Sequence, residues 1–158
     1  MANIFAGAEV VELGVQIEKN GRDFYEILAG RSKEKKAQKL FKFLADEEAK
    51  HIEDFRQILY SVQKYEPPEA YPGEYFAYMN ALASEHVFTK KDKGKEIAEA
   101  VKADKEALDL AIGFEKDSII FYEGMKKVVP AYGHKLVDQL ITQEQNHLTK
   151  LTELKTTL

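Results

Sequence analysis

The 158-residue chain has the length of one domain, with 44% hydrophobic and 32% charged residues and a formal net charge of −4, a balance that supports an ordinary core without covalent staples. It contains no cysteine, which excludes disulfides, thiolate zinc sites, iron–sulfur clusters and cysteine-ligated iron within it. Its basic residues are scattered rather than gathered into a stripe, which argues against a nucleic-acid partner, and no run of about 18 apolar residues predicts a membrane span. The start, Met1-Ala-Asn-Ile-Phe-Ala-Gly, lacks a basic segment followed by a long apolar one. No signal peptide is read there, and a cytoplasmic location is expected.

Helical periodicity dominates, punctuated by Gly30, Pro67-Pro68, Pro72-Gly73, Gly94, Pro130 and Gly133. The spacing predicts a first helix from about Ala6 to Ala29, with Gly30 as its C-terminal cap. Ser32 is a suitable N-cap for a second helix reaching about Gln63. Lys33, Lys35, Lys36 and Lys39 beside Glu34 read as its solvated face. The stretch from about 64 to 103 is too long for a turn between bundle helices and holds two candidate short helices, Glu74–His86 and Lys95–Ala100. A third long helix starts after Asp104 as N-cap and runs to about Val129, where Pro130 stops it. A fourth runs from about Tyr132 to Thr156. Two tight helical hairpins joined by one long crossover describe an all-α, ferritin-like four-helix bundle, here a single domain over residues 1–158.

Steps of three and four along each long helix trace one inward stripe. They read Val11, Gly14, Glu18, Gly21, Tyr25, Leu28; then Ala37, Phe41, Leu44, Glu48, His51, Phe55, Ile58, Val62; then Leu108, Ala111, Glu115, Ser118, Tyr122, Met125, Val129; then Val137, Leu140, Glu144, His147, Leu151, Leu154, Leu158. Each stripe is apolar except near its middle, where it presents a glutamate. Two of the four also present a histidine.

Four buried carboxylates without partners would be very costly. Two divalent cations balance their four charges and leave the imidazoles free to bind in the neutral form. Glu48-x-x-His51 and Glu144-x-x-His147 leave one helix face each. One glutamate from each of two helices, with Glu-x-x-His from each of two others, is the ligand pattern of di-iron carboxylate bundles. Carboxylate and imidazole donors suit two iron ions, and manganese or zinc fit the same positions. The pattern is also repeated: Glu18-Lys19 and Phe24-Tyr25-Glu26 recur as Glu115-Lys116 and Phe121-Tyr122-Glu123, while Leu44, Glu48 and His51 recur as Leu140, Glu144 and His147. A pseudo-twofold axis relating the hairpins follows. Tyr25 and Tyr122 lie two turns beyond a glutamate on the same face, placed to hydrogen-bond a ligand carboxylate. His86 and His134 have no such company and read as surface or crossover residues. Glu26, Glu47 and Glu123 read as solvated or lysine-paired, with Glu47 able to support the site from its edge.

The segments Ile-Glu-Lys-Asn-Gly-Arg-Asp-Phe-Tyr-Glu (17–26), Glu-Glu-Ala-Lys-His (47–51), Phe-Glu-Lys-Asp-Ser-Ile-Ile-Phe-Tyr-Glu (114–123) and Glu-Gln-Asn-His (144–147) resemble the di-iron domain of rubrerythrins and their stand-alone relatives, over nearly the whole chain. The resemblance implies that Glu48 and Glu144 bridge two irons, and that Glu18, Glu115, His51 and His147 are terminal ligands. It makes Tyr25 and Tyr122 donors to the ligands. It also implies reduction of hydrogen peroxide or dioxygen, a homodimer, and electrons from a separate donor such as a rubredoxin, since this chain has no cysteine. Iron handling (ferroxidase, storage or delivery) and a non-catalytic metal-binding or sensor role use the same ligands. Rubrerythrins usually carry a further ligand glutamate where this chain has Ser118, and the repeat partner of that position is Gly21. Both residues are small and open space beside the metals.

Overall fold

The computed structural model of the chain describes residues 6–65 and 73–158. The start of the chain up to Phe5, and the breaks expected at Pro67-Pro68 and Pro72, lie outside them. Four long helices, α1 (Gly7–Arg31), α2 (Lys35–Tyr65), α5 (Asp104–Met125) and α6 (His134–Thr157), form the bundle. The crossover carries α3 (Gly73–Glu85) and α4 (Lys93–Ala100), with a 3-10 turn at Val87–Thr89 between them. The ferritin-like architecture and both short helices match the spacing, and α1 with α2 and α5 with α6 form the two hairpins. No described helix is long and apolar enough to cross a membrane.

The predicted stripes are the core. Every stripe residue is buried except Leu158, which stands half exposed at the end of α6. Phe24, Phe41, Phe55, Phe88 and Phe121 are fully buried, and each contributes on the order of 2 kcal/mol by leaving water.

The helix ends differ from expectation, and at the start of α2 the reason is a cap supplied from elsewhere in the fold. Gly30 lies inside α1, which ends at Ser32, whose backbone N–H donates to Leu28 O. Ser32 does not cap α2; its hydroxyl donates to Asp104 Oδ1 at 2.7 Å. Asp104 Oδ2 in turn accepts the backbone N–H groups of Lys33 (3.3 Å) and Glu34 (3.1 Å). Asp104 is therefore not the N-cap of its own helix, where Ala103 stands. Its carboxylate instead closes the start of α2, where unpaired N–H groups and the helix dipole favour negative charge. At the far end α5 stops at Met125, and a 3-10 turn at Lys126–Val128 follows. A second turn at Ala131–Gly133 precedes α6, and His134 Nε2 bonds Val129 O at 2.8 Å across this corner.

The crossover is tied to α1 by one buried amide. Asn20 Nδ2 donates to Phe88 O (2.6 Å) and Lys90 O (2.7 Å), and Asn20 Oδ1 accepts from Gly94 N (3.0 Å). Gly94 is glycine because α4 approaches so closely that a Cβ there would collide with the Asn20 carbonyl.

Candidate metal centre

Glu18 from α1, Glu48 and His51 from α2, Glu115 from α5, and Glu144 and His147 from α6 meet in the middle of the bundle, each 4% exposed or less. All six residues singled out by their spacing are brought together. Their donor atoms form two overlapping groups, Glu18, Glu48, His51 and Glu144 in one, and Glu48, Glu115, Glu144 and His147 in the other. Within each group the atoms lie within 4.8 Å of one another, and Glu48 and Glu144 belong to both.

The two imidazoles face the centre through Nδ1. His51 Nδ1 lies 2.8 Å from Glu144 Oε1 and 3.5 Å from Glu18 Oε2. His147 Nδ1 lies 3.3 Å from Glu48 Oε1 and 3.6 Å from Glu115 Oε1. Their rings are nearly parallel, 5.6 Å apart, as the repeated sequence requires of pseudo-symmetric partners.

Both tyrosines hold carboxylates, and each reaches across to the other hairpin. Tyr25 OH donates to Glu115 Oε1 and Tyr122 OH to Glu18 Oε1, each at 2.7 Å. Burial first, and the surrounding carboxylates second, push both phenols well above their ordinary range, so they remain donors.

The electrostatics describe a site built for cations. Burial, then the neighbouring carboxylates, raise Glu48 and Glu115 well above the usual carboxylate range. Burial opposes charge on the histidines, but the glutamates win and raise His51 to about 12 and His147 to about 10. Burial also acts against the Glu144 carboxylate, yet the close approach of Glu115, His147 and His51 holds it below the usual range. Several buried donor atoms nonetheless lack any hydrogen-bond partner: Glu18 Oε2, Glu48 Oε1, His51 Nδ1, Glu115 Oε2, Glu144 Oε1 and His147 Nδ1. That is one atom from each of the six residues, aimed at a common centre. Unpaired buried polar atoms are rare in native proteins, and two bound cations would satisfy all six.

The outer nitrogens of the histidines differ. His51 Nε2 bonds Gln143 Oε1 at 2.7 Å, the outer-nitrogen contact that fixes a metal-binding ring. His147 Nε2 has no partner among the described residues, and Glu47, its pseudo-symmetric candidate, pairs with Lys50 at 3.4 Å. Spacing did not single out Gln143, which is next to a ligand position rather than on the inward stripe. His86 requires a correction. It lies in the crossover but is fully buried, because the turn after α3 docks on the bundle. Its Nε2 bonds Ser118 Oγ at 3.0 Å and its Nδ1 accepts Phe88 N at 3.2 Å. Having no glutamate at helical spacing, it gave no signal in the sequence.

A family model described as Rubrerythrin matches residues 9–155. A solved structure from Thermotoga maritima, described as a candidate ferritin-like diiron-carboxylate protein, is similar over the whole length. It is 26% identical, covers 99% of this chain and 98% of that one, and superposes with a TM-score of 0.70. No curated protein matches.

Proposed function

The chain belongs to the rubrerythrin family, and from that premise we propose that it is a di-iron oxidoreductase that reduces hydrogen peroxide or dioxygen. The observation that carries the reading is the pair of overlapping donor groups sharing Glu48 and Glu144. In this reading Glu18, Glu48, His51 and Glu144 would hold one metal and Glu48, Glu115, Glu144 and His147 would hold the other. Two ferrous ions held there would supply the two electrons that, with two protons, reduction of hydrogen peroxide to two waters requires.

The chain's own residues prepare the site for that chemistry. Tyr25 and Tyr122 hold Glu115 and Glu18 in place by hydrogen bonds to one oxygen of each, leaving the second oxygen, Oε2, free to face the metals. Gln143 fixes the His51 ring with Nδ1 inward. The surrounding core excludes bulk water, which strengthens every charge interaction at the centre. A cavity of about 10 Å³ bordered by Gly21, Glu48, Glu115, Ser118 and Glu144 leaves room for about one water-sized group. Electrons would come from a separate donor such as a rubredoxin, because the sequence has no cysteine to hold an additional, electron-relaying iron beside the two at the centre. A cytoplasmic homodimer belongs to the same reading, and light scattering tests its assembly; a closed multi-subunit shell would favour iron storage instead.

Stopped-flow mixing of the di-ferrous protein with hydrogen peroxide tests the activity. Oxidation much faster than that of free ferrous ion is expected. A rate no faster than free ferrous ion sinks the reading.

A further inference from the structure

The polar group beside the candidate metal centre that the proposed chemistry leaves unused is Ser118. It lies one turn past Glu115 on α5, is 5% exposed, and borders the small cavity with Gly21, Glu48, Glu115 and Glu144. The cavity wall is otherwise rich in acceptors. The three glutamates offer only lone pairs when ionised, and the Tyr25 proton is already given to Glu115.

The direction of the hydrogen bonds at Ser118 follows from its neighbour. The Phe88 backbone N–H donates to His86 Nδ1 at 3.2 Å, so that nitrogen carries the lone pair. Burial lowers the imidazole to about 4, and His86 is neutral near pH 7. Its one proton therefore sits on Nε2 and points at Ser118 Oγ, 3.0 Å away. Ser118 accepts that bond and keeps its own proton to give. Other helical hydroxyls return theirs to the backbone, as Ser61 does to Ile58 O and Ser84 to Ala81 O. Ser118 makes no such bond among the described residues. Phe88, which starts the relay, is itself held by Asn20 through its carbonyl.

We infer that Ser118, oriented by His86, is the hydrogen-bond donor that receives a small oxygen or nitrogen ligand in the cavity beside Glu48, Glu115 and Glu144. This rests on the dinuclear reading above. His86 is a positioning residue, acting through Ser118. Room for about one water-sized group limits the ligand to small species that present a single oxygen or nitrogen atom to Ser118, such as water, peroxide or the end of azide. Gly21 keeps the space open, since a Cβ there would stand 3.3 Å from Glu48 Oε2.

The test is a titration of the full chain, loaded with two ferric ions, with sodium azide, followed by its charge-transfer absorption. Ser118→Ala is expected to weaken azide binding about fivefold, the size of one neutral hydrogen bond, with iron content unchanged and a lower melting temperature, because the buried His86 Nε2–H loses its acceptor. Ser118→Thr, which keeps the hydroxyl, restores affinity. His86→Phe weakens binding in the wild-type background and adds little once Ser118 is alanine, because the two act through one bond. Nitrogen-15 spectra of the metal-free protein give an independent readout. A neutral His86 with its proton on Nε2 is expected, and a proton on Nδ1 overturns the inference. Equal azide affinity for wild type and Ser118→Ala, both carrying two irons, overturns it while leaving the dinuclear site standing. Wild-type protein that takes up fewer than two irons overturns both, and metal analysis tells these failures apart.

Discussion

Tyr25 and Tyr122 show what a single atom contributes at this site. Removing either hydroxyl leaves a buried glutamate oxygen, Glu115 Oε1 or Glu18 Oε1, without the donor that orients it. Tyr25→Phe and Tyr122→Phe should each weaken iron binding about tenfold, the usual effect of losing a contact behind a ligand, as measured by competition with a chelator. The packing is retained, so a drop in melting temperature comparable to that of a core deletion would contradict this account. At this scale the sequence was legible wherever chemistry repeats at helical steps. The six donor residues and both tyrosines share one face of their helices, twice over. Gln143 and His86 escaped because their roles depend on which elements meet. Gln143 reaches His51 from a different helix, and His86 reaches Ser118 from a turn.

Asn20 carries the corresponding argument for the elements. Its amide satisfies two carbonyls and one N–H of the crossover, and it stands two residues from Glu18 on α1. Asn20→Ala leaves two buried backbone groups and one part-buried carbonyl unpaired and should cost about 3 kcal/mol, read from denaturant unfolding. A loss below about 1 kcal/mol would mean that α4 and the 3-10 turn hold their place without it. The number, order and rough extent of the helices were legible, including the two in the crossover, because amphipathic period and proline breaks are local signals. The caps were not. Ser32 and Asp104 have the right chemistry for capping, and both cap something, but Asp104 serves α2 from the start of α5. Local sequence cannot report a contact between residues so far apart along the chain.

For the whole molecule, the decisive quantity is proton uptake at the centre. In the metal-free protein His51 and His147 are raised to about 12 and about 10, and Glu48 and Glu115 are raised well above their ordinary value. The folded state thus binds more protons than the unfolded one between pH 6 and 9. A group with a raised folded pKa stabilises fully below its unfolded pKa and loses that contribution as pH rises towards its folded pKa. Glu144, held low, has its contribution fully present above about pH 5 and stays constant across this window. The metal-free protein should therefore melt at a lower temperature at pH 9 than at pH 6, and a flat profile would count against this charge distribution. Metal must displace those protons, so binding should release them and weaken as pH falls, which a pH-stat titration with ferrous ion measures directly. Chelation at pH 7 should lower the melting temperature, because metal binds the native state preferentially.

The crossed tyrosines carry a consequence for how such a chain can change over time. Each hairpin supplies the support for a carboxylate that belongs to its twin, so neither copy owns a complete half of the site. Once a duplicated segment has been wired this way, the copies cannot drift apart freely. A substitution at position 122 is felt at position 18, and one at position 25 at position 115. These pairs, distant along the chain, should vary together among related proteins, while the exposed faces of the two hairpins diverge without constraint.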